Sequence, residues 1–420
     1  MPVGYGFASG LLALSIVCAI VWPRPVQSHG SLTTTVLFDR EIVRILNQRC
    51  VMCHSEDGLA FPLATYEQTW LRGRSMRASV LRRHMPPWPA VAGYGEFVND
   101  NRLTLRETQF LVSWVEGLGP RNAGKVFLNV VDPTAAAPQE IRATVHSNHW
   151  QLGEPDLTKG LPAAASEVNS IANPGTQTAQ AQDSRTRRVV VDLGLTAPRH
   201  VRALEFLPGD RRRVSAAIVS VEGTGQWLGT WTPWHSFVRL PDGVAYRLPA
   251  RSRLVVDVHY RGSIDTTMDG GTLGLFFSAA LPSSRPESRI PDRESRIPNP
   301  ESRVANAGVK TATDLVLDAR ADRAGRASGA LRASVRVPVD THVWAIQPEI
   351  VAGLSSLEVS ARRPDGGTDV LLALNEPSVE WPTPYLLKTP RLLARDTELF
   401  VVARSSTSLP RPVRVRISKY

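Results

Sequence analysis

The stretch Leu254-Val255-Val256-Asp257-Val258-His259-Tyr260 places a large apolar residue at every second position. This two-residue period is typical of a β-strand that buries one face. The same period returns near the C-terminus, in Val413-Arg414-Val415-Arg416-Ile417-Ser418. Similar short runs occur at 188–193, 201–207, 216–221, 272–279, 313–318, 331–337, 355–361, 368–374 and 397–403. Turn residues separate the runs and no helical crossover joins them, so we predict two all-β antiparallel jelly-roll or sandwich domains, over 150–282 and 309–420.

Residues 283–308, between the two predicted β-domains, have a repetitive composition. The related segments are Pro286-Glu287-Ser288-Arg289-Ile290-Pro291, Glu294-Ser295-Arg296-Ile297-Pro298 and Glu301-Ser302-Arg303-Val304. Their spacing of seven residues would suit a coiled coil, but proline interrupts a helix. We therefore predict a disordered Pro/Ser/Arg insert without a function of its own. We also predict a connector over 123–149 and a polar loop, rich in Ala, Gln and Ser, over 160–187.

Residues 36–122 follow a helical period instead, with apolar residues three and four positions apart. The first predicted helix runs directly into Cys50, and the second covers Tyr66–Arg83. The third begins at a capping box, because Thr104 is followed three residues later by Glu107. The sequence thus predicts a small all-α domain ahead of the β-domains.

The motif Cys50-Val51-Met52-Cys53-His54 is the attachment signature of c-type haem. Two thiols at this spacing reach the two vinyl groups of one porphyrin, and His54 then lies under the iron as the proximal ligand. A zinc site needs four ligands, whereas the sequence holds three cysteines, of which Cys18 lies in an apolar run. A redox pair of cysteines does not need the adjacent histidine. We predict one covalent haem c held by Cys50, Cys53 and His54.

Met85 is the predicted sixth ligand of the iron. It follows the second helix in Arg83-His84-Met85-Pro86-Pro87-Trp88, where two prolines stiffen the loop. A thioether in this position raises the reduction potential of haem iron. His84 and Met76 are alternatives, and an open sixth position is another.

An apolar stretch over 7–22, followed by Val26-Gln27-Ser28, is typical of a signal peptide that spans 1–28. No Lys or Arg precedes the stretch, which is unusual for such a peptide, so an uncleaved membrane anchor through 7–22 is the alternative. Either form predicts export, and we expect the remaining chain in the periplasm or another extracytoplasmic space.

The formal charge of the chain is +10, from 49 Lys and Arg against 39 Asp and Glu. Most of the basic residues are arginines scattered through strands and linkers, so we do not expect a nucleic acid partner. No motif of a triad hydrolase, a phosphate-binding glycine loop or a zinc protease is present.

Short motifs spread over most of 36–405 point to one known combination of domains. In the helical part they are Arg49-Cys50, Cys53-His54, Phe61-Pro62-Leu63 with Tyr66, Met85-Pro86-Pro87-Trp88 and Leu111-Val112-Ser113-Trp114. In the β-part they are Trp150-Gln151-Leu152-Gly153-Glu154-Pro155-Asp156, Leu228-Gly229-Thr230-Trp231-Thr232-Pro233, Arg239-Leu240-Pro241-Asp242-Gly243, Val258-His259-Tyr260, Arg363-Pro364-Asp365-Gly366 and Trp381-Pro382-Thr383-Pro384-Tyr385. Together they resemble a cytochrome c domain fused to a bacterial copper type II, ascorbate-dependent monooxygenase-like module, similar to peptidylglycine α-hydroxylating monooxygenase. The resemblance implies two jelly rolls.

Monooxygenases of this kind hold two copper ions with His and Met. At most of the corresponding positions, this chain has residues that do not bind copper. Ser215-Ala216 stands where a His-His pair is expected, and Glu349-Ile350-Val351 stands where a His-x-His pair is expected. No Met follows Met268, so the thioether ligand is missing as well. Only His259 occupies a position that matches a copper ligand of these monooxygenases. Because copper needs several N or S donors in fixed geometry, we expect no copper and a catalytically silent β-module.

These expectations combine into an exported mono-haem c-type cytochrome that transfers single electrons to or from an unidentified redox partner protein. One alternative is a copper monooxygenase that receives electrons from its own haem domain. It would need unexpected ligands, for instance His235, His259 and His342 brought together. Another alternative is a sensor whose haem iron takes up a small gas at an open sixth position.

Overall fold

Antiparallel sheets dominate the computed structural model, in which strands account for 44% and helices for 14% of the chain. The structure describes residues 34–122, 149–161, 167–171, 184–261, 270–278, 308–321, 330–405 and 412–420. The predicted segment 1–28 lies outside these ranges, as do nearly all of the predicted connector 123–149 and insert 283–308. Within the described ranges, no helix is both long and apolar enough to cross a membrane. The prediction of all-β antiparallel domains is confirmed at the level of sheets and sandwiches.

Residues 34–122 form what we call the helical unit. A π-helical turn over Phe38–Ile42 leads into α1 (Val43–Arg49), and α2 (Tyr66–Leu81) and α3 (Leu105–Glu116) follow. Both longer helices begin with a capping box, and the one at α3 is the predicted box. The core of the unit is built from apolar side chains of all these elements: Val36, Phe38, Ile42, Ile45, Leu46, Val80, Leu111 and Trp114.

Among the described residues, the first sandwich contains eleven strands in two sheets around one core. They are β1 (Leu157–Gly160), β2 (Glu167–Ile171), β3 (Ser184–Asp192), β4 (Arg199–Leu207), β5 (Val214–Val221), β6 (Trp227–Trp231), β7 (Phe237–Arg239), β8 (Val244–Leu248), β9 (Arg253–Tyr260), β10 (Thr272–Phe277) and β11 (Lys310–Thr311). One sheet has the order β1-β10-β4-β8-β11, with β7 also paired to β4, and the other has the order β2-β3-β9-β5-β6. All of these pairs are antiparallel except β11 with β8.

The second sandwich contains eight strands in two four-stranded sheets. They are β12 (Thr313–Ala319), β13 (Ala330–Arg336), β14 (Thr341–Pro348), β15 (Leu354–Arg362), β16 (Thr368–Asn375), β17 (Tyr385–Leu393), β18 (Glu398–Ser405) and β19 (Val413–Lys419). The sheet orders are β12-β19-β14-β17 and β13-β18-β15-β16.

Every strand predicted from the sequence has a counterpart in the structure, but several observed strands were not predicted. Strand β14 buries every residue from Val343 to Pro348, so it has no two-residue period. The prediction of a polar loop over 160–187 is wrong at β2 and at the start of β3, which pair with each other. Strand β2 and the start of β3 are rich in charged and polar residues, so the sequence shows no alternation of apolar and polar residues there.

The two sandwiches are joined by a buried interface that combines aromatic and polar contacts. The rings of Trp227 and Trp344 stack with centroids 6.0 Å apart. The Trp227 backbone N–H donates to Oδ2 of Asp314 at 2.7 Å, and the Tyr246 hydroxyl donates to Oγ of Ser418 at 3.4 Å. Buried polar groups that find partners across an interface fix its geometry.

The helical unit is tied to the second sandwich by residues 85–101, which we call the docking loop. Its backbone pairs with two strands, through a bridge from Ala90 to β16 and a bridge from Phe97 to β17. The buried Asn99 amide donates to the Pro384 carbonyl at 2.6 Å and accepts from the Leu386 backbone N–H at 3.2 Å. The docking loop thus extends both sheets of the second sandwich and packs against its core.

Candidate functional site

An apolar cavity lies where the helical unit meets the two sandwiches. It holds about 920 Å³ of space free of protein atoms, its open mouth included. Cys50, Cys53 and His54 line it together, so the structure brings the residues of the predicted attachment motif to one cavity. The helical unit contributes most of the remaining apolar wall, through Leu63, Met76, Val80, Leu103 and Leu111.

The motif forms a tight turn at the C-terminal end of α1. The Cys50 carbonyl accepts from the backbone N–H groups of Cys53 and His54, at 3.1 and 2.9 Å. The segment then folds back, because the Ala60 N–H donates to the Cys53 carbonyl at 2.9 Å. A Cβ on Gly58 would meet that carbonyl oxygen at 2.4 Å, so the close return requires glycine.

His54 is oriented by the backbone. Its Nδ1 lies 2.8 Å from the Phe61 carbonyl oxygen, and since a carbonyl only accepts, Nδ1 carries the proton. Burial lowers the pKa of His54; the hydrogen bond to Phe61 opposes this and the charge of Arg261 adds to it. The imidazole is therefore neutral with Nε2 unprotonated, which is the form that binds a metal.

The two thiols are partly buried, and neither has a lowered pKa. Burial raises the pKa of each to about 12. Glu107 also raises the pKa of Cys50, while Arg49 lowers it. Reactive cysteines of redox enzymes have a lowered pKa and stand in electropositive surroundings. Arg49 lowers the pKa of Cys50 and Arg261 that of Cys53, but burial outweighs both, so neither thiol has the lowered pKa of such a cysteine.

Two thioethers reach the same cavity. Met85, the predicted distal ligand, lines it and is 36% exposed. Met76, the alternative on α2, lines it as well and packs partly buried against the helical core. His84 is not among the residues that line the cavity.

The β-sandwiches contribute two residues to the cavity that the sequence analysis missed, Arg261 and Trp381. Arg261 directly follows β9, and its guanidinium lies over the Trp381 ring, 5.6 Å from the centroid. One guanidinium nitrogen is 3.9 Å from a carboxylate oxygen of Glu380. Arg261 directly follows the Val258-His259-Tyr260 motif, but no local pattern in the sequence indicates that its side chain reaches the cavity.

The histidines of the sandwiches are dispersed. Burial lowers the pKa of His235 and of His259 to about 4 each, with Asp257 opposing the shift at His259. His342 instead stacks on Tyr420, with ring centroids 5.1 Å apart. In the part of the chain that the structure describes, no group of three or more His, Cys, Asp or Glu side chains could hold a metal ion. His235, His259 and His342 are therefore not brought together as copper ligands.

No family model matches the chain. No curated protein matches it. Among solved structures, the tandem CBM22-1-CBM22-2 domain of Paenibacillus barcinonensis Xyn10C is 9% identical, with 63% of this chain and 93% of that chain covered and a TM-score of 0.13. Allantoicase is 9% identical, with 58% and 79% covered and a TM-score of 0.18. Bacillus subtilis oxalate decarboxylase is 8% identical, with 63% and 77% covered and a TM-score of 0.15. At TM-scores this low, none of these likenesses bears on function.

Proposed function

We propose that the protein is an exported mono-haem c-type cytochrome that transfers single electrons. The observation that carries this proposal is the neutral His54 ring in the apolar cavity, with Nδ1 engaged by a backbone carbonyl and two thiols beside it. In this proposal the helical unit is a cytochrome c domain. The two sandwiches are jelly rolls of a monooxygenase-like scaffold without copper chemistry.

The donor set and the cavity wall fit a haem c group. Cys50 and Cys53 would hold the porphyrin through thioethers, and His54 would be the proximal ligand. Met85 would be the distal ligand, with Met76 as the other thioether in reach. The bound haem would supply a one-electron Fe(III)/Fe(II) couple, whose potential depends on the axial ligands and on burial.

The side chains around the motif have defined tasks in this proposal. The Phe61 carbonyl holds the proton on Nδ1 of His54 and so fixes the ring orientation. The Phe61 side chain is 44% exposed, and the Arg72 guanidinium lies 4.5 Å above its ring. Because Phe61 lines the cavity, its ring would shield part of a bound group from water. The electron would be exchanged with a separate redox protein in the periplasm or another extracytoplasmic space.

The test is to express the chain with a c-type haem maturation system, expose it to Cu(II), desalt it and measure iron and copper per chain. A reduced pyridine haemochrome is recorded on the same sample. We expect about one iron, a c-type absorption band and no retained copper. Absence of the band would refute the cytochrome. One or two tightly held copper ions beside the iron would instead favour the copper monooxygenase.

A further inference from the structure

Arg261 is a cation in the wall of a mostly apolar cavity, which Arg49 also lines. It comes from the first sandwich, whereas the attachment motif belongs to the helical unit. The Arg261 backbone N–H donates to the Arg213 carbonyl at 2.8 Å, which fixes the start of the side chain next to the sheet. Its guanidinium is then held over Trp381. The side chain is therefore positioned from the β-scaffold rather than from the haem-binding motif.

The guanidinium of Arg261 has donor capacity that the described residues do not use. Its Nε is buried and has no hydrogen-bond partner there. Its contact with Glu380, at 3.9 Å, is too long for a hydrogen bond. A buried donor without a partner is costly, so this nitrogen indicates a missing acceptor.

Arg49, the second arginine in the cavity wall, differs from Arg261 because its guanidinium has hydrogen-bond partners. Nε of Arg49 is 3.3 Å from a carboxylate oxygen of Glu107, and Nη1 donates to the Asp100 carbonyl at 3.2 Å. Arg49 is thus engaged by groups of the helical unit. Arg261 is the cavity arginine whose Nε still lacks an acceptor among the described residues.

We infer that Arg261 binds a carboxylate of the porphyrin, so that the β-scaffold completes the cofactor pocket. This inference rests on the proposed function. Haem c keeps two propionate carboxylates after its vinyl groups have reacted with cysteine. A guanidinium donates charge-assisted hydrogen bonds to such a group in a fixed planar arrangement. The β-scaffold would then act on the haem directly, through Arg261.

A cation at this position favours reduced haem, because Fe(III) carries one positive charge more than Fe(II). We expect Arg261→Met, which keeps an unbranched side chain without charge, to lower the midpoint potential. The expected change is roughly three- to tenfold in the equilibrium constant for reduction, where tenfold corresponds to 59 mV for one electron. Arg261→Lys keeps the charge and should retain most of the wild-type potential.

Two further variants make the measurement specific. Glu380→Gln removes the anion beside Arg261 and should raise the potential. Arg395→Gln removes one positive charge from an arginine that is 75% exposed and does not line the cavity, and it should leave the potential nearly unchanged. All proteins are the full chain, loaded with haem, and their midpoint potentials are measured by spectroelectrochemical titration. Pyridine haemochromes and thermal unfolding curves are recorded alongside.

The outcomes separate this inference from the proposed function. A lower potential in Arg261→Met, with recovery in Arg261→Lys and no change in Arg395→Gln, supports it. Equal potentials in wild type and Arg261→Met overturn it while leaving the cytochrome intact. A wild-type chain without c-type haem refutes the proposed function itself. If Arg261→Met does not fold, the midpoint potential of Glu380→Gln is the deciding measurement. An unchanged potential in Glu380→Gln also overturns the inference.

Discussion

Buried histidines occur in two regions of this molecule, and their surroundings differ. In the helical unit, His54 has one ring nitrogen fixed by a carbonyl and shares a cavity with two thiols and two thioethers. In the sandwiches, His235 is partly buried, and its Nε2 is buried without a partner among the described residues. His259 makes a side-chain contact of 3.5 Å with Thr186. Burial therefore does not distinguish the two regions, whereas the number of possible metal-ligating groups around the imidazole does.

Burial and convergence have different energetic consequences. A buried neutral imidazole without other donors costs stability whenever it must take a proton. An imidazole that shares a cavity with other ligands can bind a metal centre, because several donors meet in fixed geometry. On the proposed function, cofactor binding belongs to the helical unit, and the sandwich histidines have a structural role.

The largest effect should come from removing both thiols of the helical unit. We expect Cys50→Ala with Cys53→Ala to reduce covalently bound haem from about one per chain to almost none. The readout is haem that stays with the chain after acid–acetone extraction. The matched control is His235→Asn with His259→Asn, which should keep the full haem content. Loss of haem in that control would show that the two regions are not separate.

A second effect concerns stability in acid and belongs to the sandwiches. The pKa of His235 and of His259 lies near 4 in the folded chain, below the ordinary value of about 6.5. Between those two values, the unfolded chain takes up protons that the folded chain does not. The free energy of unfolding should therefore fall as the pH drops from about 6.5 to about 4, by about 3 kcal/mol for each histidine.

Urea unfolding at a series of pH values measures this fall. His235→Asn should remove about half of the combined contribution of the two residues, and the double variant with His259→Asn should remove nearly all of it. Near pH 8, the free energies of unfolding of the wild type, His235→Asn and the double variant should differ by amounts that do not change with pH. A double variant that loses as much stability between about pH 6.5 and about pH 4 as the wild type would contradict the assignment to these two imidazoles.

A smaller effect is expected where the two regions meet. Asn99→Ala leaves the Pro384 carbonyl and the Leu386 N–H without their partner in a buried position. The expected cost is about 2 kcal/mol in the free energy of unfolding, with a shift in the haem spectrum because the docking loop also carries Met85. Asn375→Ala, at an exposed position, is the control and should change the stability little. An unchanged spectrum in Asn99→Ala would show that the cavity does not depend on the interface.

The sequence predicted local features well because each has a short-range cause. The capping box at Thr104 and the alternating strand β9 depend on residues that are close in sequence. Strand β14 escaped prediction because it is buried on both faces. The cavity could be predicted on its helical side, from the Cys50–His54 motif. Its other side, Arg261 and Trp381, depends on packing between distant parts of the chain, which no local period reports.

The docking loop also determines an order of assembly. Asn99 meets the Pro384 carbonyl across a sequence separation of 285 residues, whereas the core of the helical unit is made from residues 36–115 alone. Contacts between distant residues form late, since a long chain segment must first be closed into a loop. The core beside the attachment motif contains no residue of β16 or β17, and until those strands are in place the side of the cavity that Trp381 lines is open. On the proposed function, the porphyrin enters through that open side, and the last third of the chain then seals it in.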